Sequence, residues 1–271
     1  MTAAGIPEDG PVRLGSVRLP AGKRISERDN GPPRLWATSR PVPDAGRMWQ
    51  ALTDIHPGTG LVPILLGFLD GGHEGRPWDN AEFGPQCDLA VVDRLDAATV
   101  IAEGWADSVP TLEDLEDPEW AAMVAPYGVP FPGLARGQAQ LLAGTDLTQA
   151  LAWLGPARVG LVPATRSADV LALVGYDGTV NRYGTPELLS AALRSWEERF
   201  GAVLVEVGFA HIRLLARRPP RTLEDAQAVA AELWSFCDEF WPADKPGTAV
   251  SDVGSIARCI LDIPIWSLWL D

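Results

Sequence analysis

The chain has 271 residues, of which 46% are apolar and 21% charged, and its formal net charge is -14. With 22 Lys and Arg against 36 Asp and Glu, it lacks the basic excess that would release counterions from a nucleic-acid backbone, so no nucleic acid is expected as its main partner. No apolar run approaches the ~20 residues that span a bilayer; the longest, 61–69, is interrupted by Pro63 and Gly67, and no membrane partner is expected. The length suffices for a real core, in one large domain or two small ones. Cys87, Cys237 and Cys259 are odd in number and widely spaced, which points to a reducing cytoplasm and gives no zinc spacing. Lys is nearly replaced by Arg, 2 against 20, a usage that fits a high-GC genome.

The acidity is unevenly spread. Residues 1–46 carry 7 basic and 5 acidic side chains, 47–157 carry 4 and 16, and 158–271 carry 11 and 15. The first ten residues include Glu8 and Asp9 and no apolar stretch, so they do not read as a signal peptide. Residues 1–16 lack periodicity and are expected to be mobile. Val17–Leu19 and Arg34–Ala37 read as short strands. Asp44 is placed to cap a helix over Ala45–Ile55, with Met48, Leu52 and Ile55 on one face and His56-Pro57-Gly58 ending it. Leu61–Leu66 reads as a buried strand that Pro63 pushes toward an edge or a bulge. Gly71–Gln86 is a long loop. Helices are expected over Ala97–Ala106, behind Asp96, and over Glu119–Ala125, behind Pro118. Ala139–Trp153 reads as one or two more, interrupted near Gly144.

The last 114 residues are more legible. Arg158–Ala164 is a strand, and Ser167 caps a short helix over Ala168–Val174. Thr185, with Pro186 behind it, opens a longer helix. Its Leu189, Leu193, Trp196 and Phe200 form a single apolar stripe, and Gly201 stops it. Ala202–Val207 and Ala210–Ala216 form a hairpin. Thr222 and Asp225 resemble a capping box for a helix reaching about Asp238. Ile265–Leu270 closes as a strand. The order β-α-β-β-α-β predicts a ferredoxin-like unit with both long helices on one face of its sheet; another small α+β sandwich with a different strand order is the alternative. The fold class is therefore α+β: a C-terminal ferredoxin-like sandwich, 158–271, packed against an irregular α/β region, 17–157.

Several runs resemble a known family. These are Arg158–Leu171, Asn181 after the 175–178 turn, Leu193–Gly201 and Val207–Phe209, with the aromatic end Trp266–Asp271. Together they are similar to the actinobacterial family catalogued as domain of unknown function 4253. Thr59–Leu66 and Phe131–Ala135 resemble the N-terminal half of its full-length members. The resemblance implies membership and no activity. The run Arg217–Arg221 is more basic than the family leads one to expect.

Candidate sites are few. Arg166, behind a strand and at the mouth of a short helix, has the chemistry to clamp a carboxylate or phosphate; the plainer reading is a structural pair with Asp169. Asn181 is a second polar residue of the same edge, or simply a turn former. Glu197 is a buried base or, more plainly, an exposed helical residue. Cys237 reads as core. His211 shows no sequence partner, and His73 sits in a Gly-rich loop. No nucleophile elbow or phosphate loop occurs, and no metal or cofactor is expected. Trp36, Trp49, Trp78 and Trp105 are candidates for exposed anchors. The acidic peak Glu113, Asp114, Glu116 and Asp117 is either a solvated face or a docking surface for a basic protein. The sequence thus favours a non-catalytic cytoplasmic binding protein with a basic protein as partner. The alternative is an enzyme or small-ligand-binding protein using the Arg166/Asp169/Asn181 edge.

Overall fold

The computed structural model describes residues 5–27, 31–69, 71–109, 111, 114–178, 185–237, 239–242 and 247–270. The N-terminal part runs β1 (Gly10–Leu14), β2 (Val17–Ser26), β3 (Pro33–Thr38), α1 (Ala45–Thr59), β4 (Leu61–Leu66), α2 (Leu89–Val92), α3 (Ala97–Ser108), α4 (Pro118–Val124) and α5 (Gly144–Ala152). The C-terminal part runs β5 (Arg158–Pro163), α6 (Val170–Val174), α7 (Pro186–Phe200), β6 (Ala202–Val207), β7 (His211–Ala216), α8 (Leu223–Trp234), β8 (Glu239–Phe240), α9 (Val253–Ile260) and β9 (Ile265–Trp269).

These strands join into one mixed sheet, ordered β1-β2-β3-β5-β4-β6-β7-β9-β8. The α+β class holds, but the ferredoxin-like strand order does not. Strand β4, from the N-terminal half, lies between β5 and β6. It is antiparallel to β5 over six register pairs, Leu61↔Pro163 to Leu66↔Arg158, and parallel to β6 at Leu65↔Glu206 and Leu66↔Val207. Its side chains are all buried, which suits a central strand covered on both faces. Pro63 is tolerated there for a local reason. Its carbonyl accepts from the Trp49 indole, 3.0 Å, so this peptide edge faces away from the β5 ladder, and pairing with β6 begins only at Leu65.

Strand alternation divides the interior into two cores. On one face, Trp49 and Leu52 of α1 and Leu151 of α5 pack on Trp36, Leu61, Leu65, Val159, Leu161, Val205, Leu215 and Ile265. On the other, α3, α6, α7, α8 and α9 pack on Leu35, Val62, Ile64, Leu66, Val162, Leu204, Leu214, Trp266 and Leu268. Helices α7 and α8 therefore share one face, as their stripes require. Residues 10–14, inside the segment expected to be mobile, form β1 and pair with β2. Helix α1 continues through Pro57 to Thr59 and ends on Gly60 at φ 67°; proline in this last turn removes one backbone donor without stopping the helix. Asp44 occupies the N-cap without a side-chain bond, and Thr185 does the same for α7. The expected caps at Asp96 and Thr222 form, Pro118 opens α4 as expected, and Gly201 terminates α7 in the left-handed region. Strand β8 and helix α9 carried no sequence expectation.

A buried charge pair fastens the helical layer. Glu232 of α8 is fully buried. Its carboxylate accepts from Arg199 Nη1 and Nη2 (2.7 and 2.5 Å), the Trp196 indole (2.9 Å) and the Ala135 amide (2.6 Å). One group thus joins α7, α8 and the 134–138 segment, and its lone pairs are filled, the condition under which a buried charge is tolerated.

Two outcomes follow from this packing. Trp196→Ala should cost about 3–5 kcal/mol in a urea melt, as large aromatic truncations do; a change near zero would contradict the burial. A fragment of residues 158–271 lacks β4 and bares the facing edges of β5 and β6, so it should fail to melt cooperatively. A fragment with the melting temperature of the full chain would show β4 to be dispensable.

Candidate functional site

The acidic segment is carried on the outside of α3 and α4. Val100, Ile101 and Trp105 turn α3 inward, where the Trp105 ring meets Tyr127, Phe131 and Trp234. The 3.6-residue period then leaves Glu103 and Asp107 on the exposed side. Beyond the helix, Asp114 accepts from the Thr111 hydroxyl at 2.7 Å and amide at 3.0 Å, and the hydroxyl bond foremost holds its carboxyl below the usual range. Asp117 caps α4 through the Glu119 amide, 2.8 Å. Glu113 lies outside the described residues. Among the described residues, no cation within 4 Å pairs with Glu103, Asp107, Asp114, Glu116, Asp117 or Glu119. Trp120 stands in the same stretch, 46% exposed. The Trp residues expected as exposed anchors are not so placed: Trp36, Trp49, Trp78 and Trp105 are all buried. Trp36 and Trp49 belong to one core and Trp78 and Trp105 to the other, where large rings bury most area.

The Arg166 edge is arranged differently from the expected pair. Arg166 Nε donates to Glu197 at 2.9 Å and Nη2 to Glu198 at 3.1 Å. Asp169 accepts instead from Arg194 Nε at 2.6 Å, and Arg194 Nη1 reaches Asp93 at 2.6 Å. The side chains of Arg166 and Asp169 thus each bind α7 and do not pair with one another, although the Asp169 amide donates to the Arg166 carbonyl at 3.3 Å. Glu197 is the partner of Arg166 rather than a free base. Arg166 also lines a cavity of about 110 Å³ with Thr53, His56, Thr165 and Ser167. Asn181 lies outside the described residues.

The structure gives His211 a partner that the sequence reading missed. In the hairpin register Glu206 faces Arg213, and a bulge between Leu204 and Glu206 resets the strand there. Glu206 accepts from His211 Nε2 at 3.0 Å and Arg213 Nη1 at 2.8 Å. Burial alone would raise its pKa; the His211 hydrogen bond and the Arg213 charge outweigh that and hold it low. An ionised Glu206 keeps the proton on Nε2 and leaves Nδ1 as the basic nitrogen. Trp269 lies parallel to the imidazole, 9° between planes. A Cβ on Gly208 would lie 2.0 Å from His211 Cε1, and one on Gly67 2.7 Å from Nε2, so both glycines are needed for this ring position. The hairpin and its charges were legible; the bulge that aligns Glu206 was not.

Thiol chemistry has little support at Cys87. Burial first, and then the neighbouring Glu187, push its pKa up to about 12, so the thiol stays protonated at neutral pH. Helix α8 ends at Trp234, short of the expected Asp238, and Cys237 lies beyond it, buried in the larger core. Among the described residues, no group of three or more His, Cys, Asp or Glu is arranged to hold a metal ion, and no helix is long and apolar enough to cross a membrane.

Residues 158–271 match the family model described as Domain of unknown function (DUF4253), so the resemblance holds across the whole C-terminal segment. No curated protein and no solved structure matches the chain.

The Glu206 geometry has a pH consequence. Its folded pKa lies below the ordinary 4.5, so its stabilisation is present above that value and fades as pH falls through the folded pKa. Glu206→Gln should therefore be less stable than wild type at pH 7, with the gap narrowing below about pH 4.5 in thermal melts. A gap independent of pH would mean that the carboxylate charge is not what matters.

Proposed function

We propose that this chain is a non-catalytic interaction protein of the reducing cytoplasm whose acidic segment takes a basic protein partner. The observation that carries this reading is Trp120. It is 46% exposed, and it stands beside Glu116, Asp117 and Glu119, carboxylates with no cation among the described residues. An exposed aromatic in a run of carboxylates suits a surface rich in Lys and Arg, since Trp adds apolar contact and a cation–π face. Charges so placed act mainly on association rate and partner choice. Salt screens them over ~8–10 Å.

A small-ligand reading has one observation in its favour, the cavity beside Arg166. Against it, Arg166 already directs Nε to Glu197 and Nη2 to Glu198 and the Arg194 carbonyl. Its role as a structural tie to α7 follows directly.

Charge reversal at Glu113, Asp114, Glu116 and Asp117 should weaken capture of the partner from native lysate at low salt. Folding should weaken by about 0.5–2 kcal/mol, because the Asp117 cap of α4 is lost with it, and thermal melts at the capture temperature check that the variant remains folded. Trp120→Ala should weaken capture at both low and high salt. Arg166→Ala should leave capture intact and lower the melting temperature. If the acidic variant captures normally while Arg166→Ala loses a co-purifying small molecule, the ligand reading replaces this one.

A further inference from the structure

We infer that the end of the sheet around Arg158 is a binding site for a small zwitterion of the α-amino acid class. A cavity of about 420 Å³ opens there, lined by Lys23 of β2, Ser39 after β3, Glu74, Gly75 and Asp79 of the 71–86 loop, and Arg158 at the start of β5. It is separate from the acidic segment and from the Arg166 edge.

Arg158 is the fixed element. Its side chain is only 3% exposed. Nε donates to the Thr38 carbonyl at 2.8 Å, and Nη1 to both oxygens of Asp79 at 2.9 and 3.1 Å. The Phe68 ring lies 5.6 Å from the guanidinium carbon. The remaining nitrogen, Nη2, has no partner among the described residues. A buried guanidinium donor left unpaired is costly, and a carboxylate oxygen is its natural complement.

The other charges select the ligand. Asp79 is occupied, because Arg158 and the Gly75 amide (3.0 Å) already fill its oxygens. Burial opposes its ionisation, but the Arg158 hydrogen bond and charge prevail and keep its pKa low. That leaves the ammonium of Lys23 and the hydroxyl of Ser39 as further donors, and the carboxylate of Glu74 as an acceptor, all lining one cavity. A plain anion would satisfy Arg158 and Lys23 but meet two carboxylates. A plain cation would meet Lys23 and Arg158. A molecule carrying a carboxylate and an ammonium a few ångströms apart satisfies both sets, with its carboxylate toward Arg158, Lys23 and Ser39 and its ammonium toward Glu74. The lining contains no large apolar side chain, which favours a small or polar side group.

Titration of the full chain with L-alanine, acetate and methylammonium, followed by NMR shifts of the Ser39 and Gly75 amides, tests this. Alanine should saturate, and each half-ligand should bind about tenfold more weakly or not at all, since each loses one set of charge-assisted bonds. Lys23→Gln should weaken alanine and acetate together. Glu74→Gln should weaken alanine and leave acetate unchanged or improved. Both side chains are exposed, and matching thermal melts confirm that the variants fold. Equal binding of alanine and acetate, or alanine binding untouched by either variant, overturns the zwitterion site. So does the absence of any saturable alanine shift.

Discussion

The central position of β4 is the constraint on which the rest of the molecule depends. A strand buried on both faces has to satisfy its backbone groups with neighbours, and β4 does so with β5 on one side and β6 on the other. Without it, β5 and β6 would be parted by an empty ladder, and both cores would lose a wall. Val62, Ile64 and Leu66 face the helices of the larger core, while Leu61 and Leu65 face α1 and α5. The region matched by the family model therefore shares its sheet with the N-terminal half. The two are one packing unit, and the chain order of the strands is no guide to their order in space.

The same insertion creates the polar end of the sheet. The turn out of β4 delivers Gly67 and the 71–86 loop to the place where β6 ends and β7 and β5 begin. Trp78 then bonds the carbonyls of Gly67 (2.8 Å) and Val207 (3.2 Å), which ties the loop down across that end. Arg158 and Asp79 lie on one side of this tie, and Glu206, His211 and Arg213 on the other. Each buried charge there has an opposite charge in contact, as a low-dielectric setting demands. Glu232 meets the same demand inside the helical layer, with four donors, three from α7 and one from the 134–138 segment. Stability and the arrangement of donors and acceptors at the sheet end thus have a common origin in how the N-terminal half threads the C-terminal one.

The acidic surface has a simpler cause. Helix α3 buries Trp105 and its neighbours on one side, so carboxylates placed at the remaining positions of the helical period must face solvent. The absence of Lys and the scarcity of Arg between residues 47 and 157 leave them unneutralised locally. Trp120, like Trp153, stays exposed; α4 has only seven residues and buries Val124 instead. A short helix with one inward residue leaves its aromatic outside.

Local rules carried much of the fold. Helix α7, its glycine stop, the 202–216 hairpin, the cap at Thr222 and the placement of α7 and α8 on one face all follow from periodicity and capping, which act within a few residues. The acidic segment followed from composition alone. What local rules could not supply was pairing between distant strands, because a strand's pattern of apolar residues says that both faces are covered but not which strand lies beside it. Leu61–Leu66 was legible as a buried strand; its seat between β5 and β6 was not, and Pro63 argued for an edge until Trp49 accounted for its carbonyl. The partners of Arg166, Asp169 and Arg158, and the bulge that brings Glu206 to His211, were likewise decided only in three dimensions. Charged side chains choose partners by proximity and desolvation after the backbone has closed, and sequence spacing carries neither distance.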